Sequence, residues 1–289
     1  MKCIFNSFWF ILIFSACSGQ VNDGTFINQL QDTLHEKGAT LHKNERVLKN
    51  RFNPPKGYIR TKELSTSFAY YLRNLPLKPH GSMVKYYNGS TKQNHNVYEA
   101  VVDLPISNKD LHQCTDAVMR LRAEYLYSQN REDEIHFNFT NGFRVDYSKW
   151  KEGYRIQVNG NNVSWVKKAQ VGNTKESFWK YLETIFMYAG TLSLSRELKP
   201  VPIDSMQIGD VFIQGGSPGH AVIVVDMVED NFNNKLFLLA QSYMPAQEIQ
   251  ILKNPNTNEF GSWYQLKKDE MLITPEWKFA SSDLKRFVD

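Results

Sequence analysis

The sequence predicts a single α+β domain in the body of the chain, and three patterns support this class. Residues 107–129 form the clearest helical stretch, because apolar residues step along it by three and four and share one face. From Gly209 onward, short runs rich in Val, Ile and Phe alternate with turns, which is typical of an antiparallel β-meander. No internal repeat or long linker divides this body. We therefore expect a helix packed on the meander, with N-terminal helical elaboration and a middle insertion.

The remaining elements follow from apolar spacing and from turn residues. A capping box of Ser107 and Asp110 is expected to open the long helix, and Asp110 with Gln113 could form another one turn later. Cys114 would lie in the second turn with the first cap and in the first turn with the second. In chain order, the sequence predicts a short helix with Phe26, Leu30 and Leu34 on one face, a second helix over 68–75, strands at 84–87 and 97–106, a hairpin of 135–139 and 143–147, a third helix over 175–189, and meander strands at 211–213, 221–228, 236–243 and 249–252.

These patterns also divide the chain into three parts. The first is a lipoprotein signal peptide, the second is a tether with a short helix, and the third is one α+β domain whose core is interrupted. The predicted bounds are 1–16 for the signal peptide, 17–60 for the tether and helix, 61–289 for the domain, 97–130 and 205–255 for its core, and about 131–200 for the insertion.

Composition restricts the class of partner. The chain has 289 residues, 42% hydrophobic and 22% charged, which is enough to bury one sizeable core. Its net charge of +4 is too small and dispersed to indicate a nucleic-acid partner. Aromatic residues make up 13% of the chain, which suits strands and an aromatic-lined groove.

The N-terminus has the pattern of a processed export signal. Lys2 precedes an apolar stretch at 4–14, which is too short for an ordinary membrane-spanning helix. It ends at Phe14-Ser15-Ala16-Cys17, which resembles the lipobox of bacterial lipoproteins, in which the cysteine is lipidated. We therefore expect a membrane anchor at Cys17 on the periplasmic side of the outer membrane. The alternative is an ordinary secretory signal with an incidental cysteine.

The cysteine count singles out one thiol. Cys3 would leave with the signal and Cys17 would carry lipid, so Cys114 would be the only free thiol of the mature chain. An unpaired cysteine in an exported protein is either a small buried hydrophobe or a nucleophile, and the sequence leaves both open.

A histidine and a glutamine on neighbouring predicted strands could serve that thiol. His220 follows Gly215-Gly216-Ser217-Pro218-Gly219 and opens a strand, where imidazole could accept a proton; the alternative is a turn histidine that bonds its own loop. Gln241 lies 21 residues further on and could orient the ring, whereas Ser242 would face the other way. Cysteine catalysis requires these three parts: a thiol, a base and an orienting group.

Four segments resemble the three motifs of CHAP domains, which are cysteine, histidine-dependent amidohydrolases or peptidases, and of the related NlpC-like peptidases. They are the helical stretch 112–115 around Cys114, the pair of segments 209–211 and 219–224 around His220, and the strand 240–243 around Gln241. The resemblance implies a papain-like core, with Cys114 as nucleophile and His220 as base. Two features depart from the family pattern: Cys114 precedes Gly209 by 95 residues, which requires an insertion, and Gln241 stands where an acid is usual.

The whole chain also resembles a family of bacterial lipoproteins known only as a domain of unknown function. The phrases that carry this likeness are 120–127, 218–221 and 239–247. This second resemblance implies no activity.

The sequence thus predicts a lipid-anchored cysteine hydrolase of the cell envelope that cleaves amide bonds, with peptidoglycan peptides as the substrate class that the resemblance implies. The backbone amide of Cys114 and the side chain of Gln113 are the oxyanion candidates, and Tyr243 and Ser217 are the substrate-groove candidates. No cofactor is expected, and no His-x-x-x-His or paired-cysteine spacing suggests a metal. The alternative is a non-catalytic envelope lipoprotein that binds a glycan, peptide or protein partner on a degenerate hydrolase fold.

Overall fold

A largely buried antiparallel sheet organises residues 41–288, which are the residues that this computed structural model describes. The predicted signal peptide, the lipidation candidate Cys17 and the predicted helix with Phe26, Leu30 and Leu34 lie outside the described residues. Within them the chain is mixed α+β, with a mostly antiparallel sheet and few helices. The coarse fold class predicted from the sequence is therefore confirmed.

The described helices and strands alternate irregularly along the chain. The helices are α1 (Leu48–Arg51), α2 (Phe68–Arg73), α3 (Cys114–Ser128), α4 (Tyr147–Lys151), α5 (Lys175–Tyr188) and α6 (Thr191–Glu197). The strands are β1 (Ile59–Arg60), β2 (Tyr98–Val101), β3 (His136–Asn138), β4 (Arg144–Asp146), β5 (Tyr154–Asn159), β6 (Asn162–Lys167), β7 (Lys199–Pro200), β8 (Val211–Gln214), β9 (His220–Glu229), β10 (Lys235–Gln241), β11 (Gln250–Leu252), β12 (Met271–Ile273), β13 (Lys278–Ala280) and β14 (Leu284–Arg286).

The main sheet has the strand order β2-β11-β10-β9-β8-β14-β7, and β1 adds to β9 outside this row. Its centre is β9, whose run Ala221–Val228 is buried almost without interruption. A strand this apolar must be covered on both faces, and α3 packs against it. The predicted meander strands are thus confirmed as β8 to β11.

The helix that carries Cys114 begins later than the sequence indicated. The predicted start at Ser107 is wrong, because α3 begins at Cys114. Asp110 cannot cap a helix at Ser107, since its Oδ1 accepts hydrogen bonds from the Ala246 backbone and the Gln113 side chain instead. The cap is supplied by Asp116, whose Oδ2 accepts the backbone N–H of Gln113 at 2.9 Å. Cys114 is therefore the first residue of its helix.

The middle segment folds into small hairpins and helices beside the main sheet. The predicted hairpin around Asn141-Gly142 is confirmed as β3 and β4, with Gly142 in the left-handed region at φ 88°. The predicted third helix is confirmed as α5, which has the hydroxyl of Thr174 at its N-cap. The predicted strand at 84–87 is wrong: this stretch makes only isolated bridges, at Lys85 and Tyr86.

A buried charge cluster ties the N-terminal elements to the central strand. Asp226 of β9 is completely buried, and its two carboxylate oxygens pair with Arg60 of β1 at 2.9 Å and Arg73 of α2 at 2.6 Å. The backbone N–H of Met227 donates to the same carboxylate at 2.9 Å. A buried carboxyl group is stable only when donors of this kind satisfy it, so the three elements are held in one register.

A half-buried carboxyl in the middle segment makes stability depend on pH. Burial raises the pKa of Glu197 from 4.5 to about 7, and the bond from the Asn138 N–H only partly offsets this. The unfolded chain loses this proton at a lower pH than the folded chain does, so the free energy of unfolding falls as pH rises from about 4.5 to 7.

We expect Glu197→Gln to be more stable than the wild type by about 1–3 kcal/mol at pH 8 and equally stable at pH 4, as measured by urea unfolding. Glu152→Gln, at an exposed position, is the control that should show no such difference. Equal stabilities of the wild type and Glu197→Gln at both pH values would contradict the assignment.

Candidate functional site

Cys114 lies where a nucleophile could be held rigidly, at the first residue of α3 and against the first residues of β9. Its side chain is 5% exposed, and Sγ lies 3.8 Å from the hydroxyl of Thr115. The backbone of Ala221, directly after His220, also forms a hydrogen bond with the thiol. The N-terminus of α3 and the start of β9 therefore meet at this sulfur.

The thiol is uncharged at neutral pH in this environment. Burial raises the pKa of Cys114 above its ordinary value, and the hydrogen bonds from Thr115 and from the Ala221 backbone offset only part of this effect. The buried carboxyl of Asp116 adds a smaller effect in the raising direction. A thiol of this kind reacts only if a base removes its proton.

His220 is a buried imidazole with one ring nitrogen held by Gln241. The distance from His220 Nε2 to Gln241 Oε1 is 2.9 Å. The rings of Tyr243, Trp277 and Phe279 surround the imidazole at centroid distances of 4.9, 5.3 and 5.9 Å. Burial in this aromatic setting lowers the pKa of His220 to about 4, so the ring is neutral above that pH and able to accept a proton.

The hydrogen-bonded row continues beyond Gln241 to an ion pair. Gln241 Nε2 donates to Glu276 Oε2 at 2.6 Å, and Lys92 Nζ donates to the same oxygen at 2.7 Å. Lys92 is 3% exposed and the Glu276 side chain is 14% exposed, so this pair is screened only weakly by water. Position 241 carries an amide, and the carboxylate of Glu276 lies one hydrogen bond beyond it.

The structure brings some of the predicted site residues together and leaves others apart. His220 is in direct contact with both Gln241 and Tyr243. Burial raises the pKa of Tyr243, and the negative charges of Glu276 and, to a smaller extent, of an ionised Cys114 raise it further, so Tyr243 also lies near the thiol. Within residues 41–288, no hydrogen bond joins the Cys114 thiol to the His220 ring.

The two other predicted residues lie near the surface. Ser217 is exposed in the loop before β9. Gln113 is half-buried at the N-cap of α3, and its side-chain amide donates to Asp110 at 3.2 Å, so it would have to leave that bond to reach an oxyanion.

Sequence reasoning missed Lys92, Glu276 and Trp277. None belongs to a recognisable motif, and each joins the site only through the folded chain. The one local signal is that Glu276 and Trp277 follow Pro275, in a turn between β12 and β13.

All the residues of this site lie in a region that matches a known protein family. The sequence pattern of a protein family described as Domain of unknown function (4846), DUF4846, matches residues 48–286, which is most of the chain. The chain belongs to the DUF4846 family. Neither curated proteins nor solved structures provide a match. The matched DUF4846 region contains Cys114, His220, Gln241 and Glu276, but the family's description names no activity.

Other polar residues of the segments around Cys114, His220 and Gln241 have structural roles. His112 is buried, and its Nδ1 bonds the backbone oxygen of Gln247 at 3.1 Å, while the Ser242 hydroxyl donates to the backbone oxygens of both residues. Burial and the charge of Arg120 lower the pKa of His112 to about 3. Asp210 is held by two bonds from Arg286, at 2.6 and 2.8 Å. These residues brace the segments that carry the site.

The described residues form neither a cluster of metal ligands nor a membrane-spanning helix. Residues 41–288 contain no group of three His, Cys, Asp or Glu side chains that is arranged to hold a metal ion. In the same part of the chain, no helix has the length and apolar character needed to cross a membrane.

The loop before His220 is packed too tightly against α6 to accept a side chain. A Cβ at Gly219 would lie 2.4 Å from Thr191 Oγ1 and 2.8 Å from the Gln214 carbonyl oxygen. The Thr191 hydroxyl also donates to the Gly216 backbone oxygen at 3.2 Å. Glycine is therefore required here by close approach, and α6 sets the path of the chain into His220.

We expect Gly219→Ala to lower the free energy of unfolding by about 1–3 kcal/mol, since the loop must move away from α6. The matched control is Gly172→Ala, where a Cβ would meet nothing within 4 Å. Chemical denaturation of both variants gives the comparison. Equal stability of the two would show that the loop has room to adjust.

Proposed function

We propose that the protein is a cysteine hydrolase of the cell envelope that cleaves amide bonds, with Cys114 as nucleophile, His220 as base and Gln241 as the group that orients the imidazole. The observation that carries the proposal is the Gln241 bond to Nε2 of His220, formed while the Cys114 thiol packs against the backbone of the next residue, Ala221. The thiol at the start of α3 packs against the start of β9, which carries the base, and the orienting amide comes from the neighbouring strand β10.

The proposed reaction proceeds through a thioester. As Sγ of Cys114 attacks the amide carbonyl, its proton passes to the free nitrogen of His220, Nδ1, and a tetrahedral oxyanion forms. The imidazolium then returns this proton to the departing amine as the C–N bond breaks. Water next attacks the thioester and gives its proton to His220, and collapse releases the carboxylic acid and restores the thiol. The backbone amide of Cys114, with the side chain of Gln113, is the candidate oxyanion site.

The resting charges support a general-base mechanism over a preformed ion pair. The pKa of Cys114 is raised and that of His220 is lowered to about 4, so both groups are neutral before substrate binds. Proton transfer is then part of the attack step, and the base is available at neutral pH.

The substrate class and location come from the sequence resemblance. The papain-like core, peptidoglycan peptides as substrate, the lipid anchor at Cys17 and the periplasmic side of the outer membrane are parts of this proposal. The half-buried rings of Tyr243 and Trp277 beside His220 are suited to flank a peptide.

One observation favours a second candidate, a non-catalytic lipoprotein that binds a glycan, peptide or protein partner. The thiol is 5% exposed, and within the described residues it makes no hydrogen bond to the imidazole. A buried cysteine of this kind can be a packing residue that a degenerate fold has kept.

The test combines thiol labelling with a substrate panel. We expect iodoacetamide to alkylate Cys114 in the native protein, faster as pH rises, and the protein to release new amines from one class of peptidoglycan peptide. The labelling control is His220→Asn, which should slow alkylation. A thiol that stays unlabelled until the protein unfolds, together with an unchanged substrate panel, would rule out catalysis and leave the binding role.

A further inference from the structure

We infer that Glu276 is the positioning residue of this site: acting through Gln241, it selects the ring nitrogen of His220 that carries the proton. The inference rests on the proposed function, in which the free nitrogen of His220 is the base. It rests on three hydrogen bonds in a row, from Lys92 to Glu276, from Gln241 to Glu276 and from His220 to Gln241.

The direction of each bond follows from what each group can donate. A carboxylate only accepts, so Glu276 must face the NH₂ end of the Gln241 amide, at 2.6 Å. The other end of that amide, the carbonyl oxygen, is then the atom at 2.9 Å from His220 Nε2. Because this oxygen also only accepts, Nε2 must carry the proton, and Nδ1 of the neutral ring is left with its lone pair.

Without Glu276, Gln241 would lose this direction. An amide alone can turn either its oxygen or its NH₂ group toward an imidazole, and the two orientations select opposite tautomers of the histidine. Gln241 is 1% exposed, so hydrogen bonds to water do not decide which end of its amide faces the imidazole. Glu276 accepts hydrogen bonds and does not donate them, so it fixes which end of the Gln241 amide faces His220.

Lys92 holds Glu276 in place through a buried ion pair. Its ammonium is 3% exposed and lies 2.7 Å from Glu276 Oε2, with the Tyr243 ring 5.5 Å away. An ammonium only donates, so the Glu276 oxygen that Lys92 and Gln241 share accepts from both of them. The ion pair thus has a role at the site beyond its effect on stability.

The experiment reads the tautomer of His220 directly, by ¹⁵N NMR of the histidine rings in the full chain at pH 7, with the His220 signals assigned by their loss in His220→Asn. In the wild type we expect a pyrrole-type Nε2 and a pyridine-type Nδ1. In Glu276→Gln we expect a substantial population of the opposite tautomer, because an amide at 276 can donate as well as accept. Glu259→Gln, the same change at an exposed position, should leave the spectrum unchanged.

Removing Glu276 alone leaves the buried Lys92 unpaired and could unfold the protein. The double variant Lys92→Met/Glu276→Gln removes both charges together and is expected to show the same tautomer change in a folded chain. A wild-type His220 protonated on Nδ1, or a folded variant that keeps the wild-type tautomer, would overturn the inference.

Hydrolysis separates this inference from the proposed function. If the protein is a hydrolase, kcat should fall with the loss of the Nε2–H tautomer while KM stays unchanged. If the tautomer shifts but no wild-type hydrolysis is found, the positioning role of Glu276 stands and the proposed catalysis fails. If hydrolysis depends on Cys114 but the tautomer does not respond to Glu276, catalysis stands and the positioning role fails.

Discussion

Replacing Cys114 with alanine is expected to abolish amide hydrolysis, with a loss of kcat/KM on the order of 10⁴-fold or more. The reason is that the proposed reaction forms a bond to sulfur, and no other cysteine lies within residues 41–288. The measurement is the initial rate of amine release from the peptidoglycan peptide that the wild type cleaves. Alanine removes only the sulfur from a buried position, so the fold should survive.

The control for this prediction is Met119→Leu on the same helix. Met119 is buried to the same degree as the core residues around it, and leucine keeps its volume, so activity should be retained. If Cys114→Ala cleaves the peptide as fast as the wild type, Cys114 is a packing residue. The second candidate function, binding without catalysis, would then be the one to pursue.

Replacing Asp226 with asparagine is expected to cost about 3–5 kcal/mol in the free energy of unfolding. Asp226 is fully buried and pairs with Arg60 and Arg73, so the variant would leave two partly buried guanidinium groups without their counter-charge. Asparagine has nearly the same shape, which makes the loss electrostatic rather than a packing effect. Urea unfolding at pH 7 gives the difference.

The matched control is Asp103→Asn. Asp103 pairs with Arg46 at 3.3 Å, but the two side chains are 46% and 51% exposed, so the same chemical change should cost about 0–1 kcal/mol. Equal losses at positions 103 and 226 would mean that the buried cluster around Asp226 does not hold the N-terminal elements to β9.

Local patterns account for the parts of the fold that were predicted correctly. Alternating and continuous apolar runs identify β8 to β11, because a strand buried on both faces tolerates few polar residues. Asn141-Gly142 identifies the β3–β4 hairpin, because its turn requires positive φ. Both signals depend on residues that are neighbours in the chain.

The start of α3 could not be predicted in the same way. Ser107 and Asp110 satisfy a capping box, yet the Asp110 carboxylate is bound to Ala246, which is 136 residues away. That contact competes with the local cap and leaves Gln113 as the residue before the helix. The choice between the first and the second turn for Cys114 is therefore a tertiary result.

The pairing of His220 with Gln241 was predicted from strand geometry, but its register depends on an irregularity in the strand pair. The β9–β10 register pairs Ala240 with Ile223, so Gln241 lies one pair nearer the start of β9, on the face that His220 occupies. This register arises from a shift between Leu238 and Leu239, without which Gln241 would lie opposite Ile223 on the other face of the sheet. The two-residue period and the short connection alone were therefore not sufficient to place both side chains together.

The sequence by itself determined the coarse α+β fold class, the central hairpin and meander, and the likeness of four segments to cysteine hydrolase motifs. Only the tertiary structure decided what surrounds His220, because Glu276 lies 35 residues from Gln241 and 184 residues from Lys92. Periodicity reports which face of an element is buried, but it carries no information about which distant loops meet there. Gln241 is uncharged, and the carboxylate that it contacts comes from such a loop, the turn that carries Glu276 between β12 and β13.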